Sequence, residues 1–200
     1  MHSKSRIAIL FIALLAIMTP AMAHIGVEYH SDLGFFSGFM HPIGGMDHMA
    51  VMLCVGLWSA LTAPRGNLFL FWGPAGFASM LLVGALMGLN GFAIPAVEPM
   101  IAVSLLVIGL LVVTRLQVPG FFAAILVGIF AVFHGLAHGY ELAGSASAVN
   151  TLAGMLTATV LLHVVGLGLG WRLRQHSVWI SRAVGTTVAV LGSVMLLQMA

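Results

Sequence analysis

Six long apolar runs dominate this chain, at Leu33–Leu61, Leu68–Leu89, Pro99–Val113, Phe121–His138, Ala148–Leu169 and Val178–Met199. A helix needs about 20 apolar residues to cross a bilayer. The third and fourth runs fall short on a strict apolar count and must borrow flanking residues. Charged side chains make up 6% of the 200 residues, against about 25% in a soluble domain. So little polar surface cannot face water all round, and lipid must be the solvent. The pattern predicts an all-α membrane protein, a bundle of six transmembrane helices with no room for a soluble domain. No basic cluster interleaved with aromatics occurs, which excludes a nucleic-acid partner. The single cysteine, Cys54, has no partner for a disulfide and belongs to no CxxC motif, so it reads as a packing residue.

The first 23 residues read as a cleavable signal peptide. His2, Lys4 and Arg6 precede a short apolar stretch, Ile7 to Met18, and Ala21-Met22-Ala23 supplies the small-x-small cleavage pattern. Residues 24–200 then form a single six-helix domain that begins, at His24, outside the membrane. With that start, Arg65, Arg115, Arg172, Arg174 and Arg182 all fall at cytoplasmic ends, and they are every Lys or Arg after residue 23. The positive-inside rule is met throughout, and the opposite orientation would break it five times over. A mature N-terminal His24 would offer amine and ring nitrogen together as a chelate. His30 lies nearby, on the same outer side.

Two clusters carry the chemistry. The first run contains His41-Pro42-Ile43-Gly44-Gly45-Met46-Asp47-His48. A charge near mid-bilayer costs about 2.5–3.5 kcal/mol on insertion scales, so Asp47 needs a partner. His41 and His48 would share a helical face about 10 Å apart along the axis. Pro42 and Gly44-Gly45 weaken the helix between them, and a kinked segment would draw the polar groups together and free carbonyls for a cation. The fourth run ends in Phe133-His134-Gly135-Leu136-Ala137-His138-Gly139-Tyr140-Glu141. His134 and His138 stack at i, i+4, with Glu141 on the same stripe. Paired imidazoles at that spacing chelate metal, and Glu141 can join them or hydrogen-bond from behind. Four histidines and two carboxylates are expensive to insert, which argues against a purely structural network. His163, alone in the fifth run, reads first as a hydrogen-bonded structural residue, with a proton-relay or exit role left open. Glu98, beside Pro99, reads as a helix cap. Gly84/Gly88 and Gly166/Gly170 have the spacing of close helix contacts.

HPIGGMDH and FHGLAHGYE together resemble the paired signatures of the HupE/UreJ family, and the likeness covers essentially the whole chain after residue 23. That resemblance implies a nickel or cobalt permease that accompanies hydrogenase, urease or cobalamin systems. It implies a metal site of His41, Asp47, His48, His134, His138 and Glu141, with no prosthetic group and with Ni²⁺ or Co²⁺ as the transported ion. Imidazole with carboxylate suits Ni²⁺, Co²⁺, Zn²⁺ or Cu²⁺, and the set lacks the thiolates that favour Cu(I).

The expected function is therefore a non-enzymatic permease of the bacterial inner membrane, taking the ion from the periplasm. An intramembrane metal-dependent hydrolase, with Glu141 as base, is the rival from a different class. A metal-binding sensor or maturation protein is the third reading. No G-x-x-x-x-G-K-[ST] motif is present, so energy would come from a gradient, the membrane potential or a partner. The three-plus-three arrangement of runs admits an inverted repeat.

Overall fold

The computed structural model describes residues 34–64, 67–175 and 178–200. The expected signal peptide, His24, His30 and Arg65 lie outside the described residues. Lipid offers backbone groups no hydrogen bonds, so apolar runs satisfy them internally as helices. Seven α-helices result: α1 (Phe35–Gly44), α2 (Met46–Thr62), α3 (Trp72–Leu89), α4 (Val97–Thr114), α5 (Gly120–Glu141), α6 (Ala148–Leu173) and α7 (Val178–Met199). A 3-10 turn at Leu68–Phe71 leads into α3, and no strand occurs among the described residues.

Five helices are long and apolar enough to cross a membrane: α3 with its leading turn, α4, α5, α6 and α7. The two short runs gain their length as expected, α4 by taking in Val97, Glu98 and Thr114, and α5 by continuing to Glu141. The sixth expected span is not one rod. α1 and α2 meet at an angle of 81°. The break falls at Gly45, whose backbone is extended at φ −81°, ψ 111°. Pro42 lies inside α1, but helical geometry fails three residues later, where consecutive glycines give the helix least support. The predicted 10 Å axial separation of His41 and His48 therefore does not hold.

Glycines let the helices pack backbone to backbone, where dispersion rather than hydrophobic burial drives association. A Cβ on Gly84 would strike the Val132 carbonyl of α5, and one on Gly139 the Ala85 carbonyl of α3. Gly166 and Gly170 lie in the same way against Leu53 and Leu57 of α2. Both glycine stripes read from the sequence are thus interfaces. Gly135 and Gly139 leave room for a helix, α3.

The ends of the helices define two faces. Trp58 of α2 donates from Nε1 to the Leu116 carbonyl just past α4, at 2.9 Å. Arg115 reaches Ser181 Oγ in α7 at 2.7 Å, and Arg174 beyond α6 donates to the Ala63 carbonyl beyond α2. One face therefore gathers the C-terminal ends of α2, α4 and α6 with the start of α7, and Arg115 and Arg174 are each tied there to another helix's end. The histidine-bearing ends of α1, α2 and α5 lie away from it.

The helix pairing has an internal regularity. The most extensive pairs are α3 with α5, α4 with α7, and α2 with α6. Exchanging α2-α3-α4 for α5-α6-α7 leaves this set unchanged. The close contacts follow suit: Gly135 abuts Leu81 and Ala85, while Gly56 abuts His163 and Leu167. On the self-paired helices, Gly109 meets Gly185 and Ala189, and Gly185 meets Gly109 and Val113. With α2 and α5 running in opposite directions, this is the contact pattern of an inverted repeat.

Candidate metal centre

Three helix ends build the site. His41 occupies the last turn of α1, Asp47 the first turn of α2, and His138 the last turn of α5, with Glu141 closing that helix. Unpaired carbonyls give a helix C-terminus about half a negative charge, and unpaired amides give the N-terminus the reverse. Two C-terminal ends therefore favour a cation between them. The N-terminus of α2 favours the Asp47 carboxylate. Gly45 fits this corner because a side chain there would crowd Asp47 and His48, which lie 3.2 and 3.4 Å from the place a Cβ would take.

The break brings the imidazoles together. Ring centroids are 4.6 Å apart for His41 and His138, 4.7 Å for His48 and His138, and 5.0 Å for His48 and His134. One donor atom each from His41, His138 and Glu141 lie within 4.8 Å of one another, close enough for one ion. His41 and Glu141 are exposed and His138 is buried, so this triad forms the mouth of the cluster. All six residues expected from the sequence belong to one connected group, in three different positions. His41, His138 and Glu141 share a prospective ion. Asp47 and His48 stand behind His138. His134 lies deepest, with no exposed surface.

Counting protons shows which nitrogens are free. Asp47 Oδ1 lies 2.9 Å from His48 Nδ1, so His48 donates from Nδ1 and keeps its lone pair on Nε2. With both rings neutral, His138 Nε2, 2.7 Å from that atom, donates to it. The lone pair of His138 is left on Nδ1, which has no hydrogen-bond partner and faces Glu141 Oε2 at 3.6 Å. In that tautomer a lone pair faces a carboxylate oxygen at 3.6 Å, and a cation held between the two would satisfy both. The relay from carboxylate through histidine to ligand is the usual way a protein fixes the tautomer of a metal-binding imidazole.

His134 obeys the same logic. Ser104 Oγ spends its proton on the Ile101 carbonyl at 2.6 Å and can only accept from His134 Nε2, 3.0 Å away. The His134 lone pair is then on Nδ1, also without a partner. A buried acceptor left unmatched costs about 1–3 kcal/mol, so two such nitrogens in one cluster mark a place for a ligand. Ser104 was missed from the sequence, where one hydroxyl in an apolar run gives little signal. Glu98 is not the cap expected of it. Ala96 holds that position and no side chain caps α4, since Glu98 already lies inside the first turn, exposed.

A family model described as HupE / UreJ protein matches residues 12–195 of the chain. Among curated proteins, "Protein HupE" of Rhizobium leguminosarum bv. viciae is 38% identical over 184 residues, spanning 92% of this chain and 94% of that one. No solved structure matches.

Proposed function

The chain belongs to the HupE/UreJ family, and on that premise we propose that it is a permease for a divalent transition ion, Ni²⁺ or Co²⁺. The observation that carries this reading is the triad of His41, His138 and Glu141, with donor atoms within 4.8 Å of one another and an unpartnered His138 nitrogen among them. The ion would be bound at this mouth by nitrogen and carboxylate oxygen, a donor set suited to borderline divalent metals. It would then move inward to His134. Asp47 and His48 hold His138 in the tautomer that binding needs.

The direction proposed is from periplasm to cytoplasm across a bacterial inner membrane. Arg115, Arg174 and the helix ends they tie gather on the face opposite the histidines, which is the cytoplasmic face under the positive-inside rule. A potential of 100 mV, inside negative, favours inward passage of a divalent ion by about 4.6 kcal/mol, from 2.3 per charge. A link to hydrogenase, urease or cobalamin assembly follows from the family and is tested by which enzyme loses its metal when the gene is deleted.

The direct test is flux of radioactive nickel or cobalt into liposomes holding the purified protein. The wild type should admit the ion without turning over any substrate, and His138→Ala should abolish its passage. Flux that survives His138→Ala would reject the site. A wild type that binds metal but passes none would favour the sensor or maturation reading.

A further inference from the structure

We propose that His163 is a second, inner station for the same cation, separated from the outer cluster by the ring of Phe77. The inference rests on the permease reading and extends its path from α5 to α6. His163 lies in the middle of α6, 2% exposed. Its Nδ1 lies 2.8 Å from the Thr159 carbonyl, which can only accept, so the proton is on Nδ1 and the lone pair on Nε2. That Nε2 is buried and has no hydrogen-bond partner. Most buried side-chain polar atoms are hydrogen-bonded, so a nitrogen without a partner stands out.

Its placement gives the lone pair a use. The Phe77 ring of α3 lies 5.7 Å from the His134 ring and 5.2 Å from the His163 ring, centroid to centroid, and has no exposed surface. Two histidines with unsatisfied nitrogens, from α5 and α6, therefore flank one phenyl group. Imidazoles continue outward from His134 through His48 and His138 to His41. Among the described histidines only His163 stands outside this series of neighbouring rings, and Phe77 is the ring in contact with both it and His134. The phenyl ring blocks a hydrated ion by bulk, yet its face attracts a bare cation within about 6 Å. A single nitrogen beyond it binds weakly, as a transit site must if the ion is to leave again.

Liposome flux and equilibrium binding together test this. In His163→Ala, Ni²⁺ binding at the outer cluster should match the wild type while flux falls about tenfold or more, the effect of a barrier raised by about 1.4 kcal/mol. Phe77→Leu should raise flux. A ligand role is read separately by Co²⁺ absorption in a variant that lacks every imidazole of the outer cluster, His41→Ala/His48→Ala/His134→Ala/His138→Ala. A weak nitrogen-bound Co²⁺ signal should persist there and vanish when His163→Ala is added. Wild-type flux in His163→Ala, or a residual signal indifferent to His163, would overturn the station. A wild type that binds no ion at all would instead remove the permease reading on which it rests.

Discussion

Replacing Asp47 separates a residue that binds the ion from one that positions a ligand. Asp47 touches the prospective ion only through His48 and His138, across contacts of 2.9 and 2.7 Å. Asp47→Ala removes the acceptor that holds the proton on His48 Nδ1. If both tautomers of the relay then become equally populated, the competent fraction halves, a loss of about 0.4 kcal/mol. Asp47 also raises the basicity of the imidazoles ahead of it, and removing such an outer partner of a ligating histidine typically costs about 10- to 100-fold in metal affinity. Asp47→Asn keeps an oxygen acceptor and loses the charge, so its loss should be smaller, about tenfold or less. His138→Ala removes a donor of the triad and should cost more than either Asp47 variant, leaving only weak binding. Calorimetric titration of Ni²⁺ into the detergent-solubilised protein gives all three values. Equal losses in the three variants would mean that Asp47 binds the ion directly. Unchanged affinity in Asp47→Ala would refute the relay.

Acid should weaken binding, because protons and metal compete for the same nitrogen lone pairs. The sign is fixed by those ligands: Ni²⁺ affinity should fall steadily as the pH is lowered through the range in which the ligating imidazoles gain their protons. Affinity that rises in acid would contradict an imidazole site. Gly135→Leu should separate α3 from α5, since even a Cβ there would overlap the Leu81 carbonyl. Overpacking of this kind costs about 1–3 kcal/mol or more, so the midpoint of thermal unfolding in detergent should fall clearly below the wild type.

The sequence made the lipid-bound, all-helical character plain, because apolar length and absence of charge are read directly from composition. The six candidate residues, which the structure gathers into one cluster, were also conspicuous, since a histidine or carboxylate in an apolar run is costly. Their division of labour was not. Whether Asp47 binds or positions depends on which nitrogen of His138 carries a proton, and that depends on contacts 90 residues apart in the chain. The break at Gly45 was foreshadowed by Pro42 and the paired glycines, but its 81° angle was not, and both arms of the break pack against the distant α6. Ser104 and Phe77 were invisible for the opposite reason: a lone hydroxyl and one more aromatic are ordinary in a membrane span.

The exchange symmetry of the helix pairs has a consequence for direction. Matching Gly135 with Gly56 through their equivalent contacts places Val55 opposite His134 and Ser59 opposite His138 in the repeat. The scaffold is even-handed, but the donors are not. On the permease reading, a rocking motion about the Gly109–Gly185 crossing would present strong ligands to one compartment and only weak ones to the other. Capture from dilute solution and easy release would then be built into opposite ends of one symmetrical hinge.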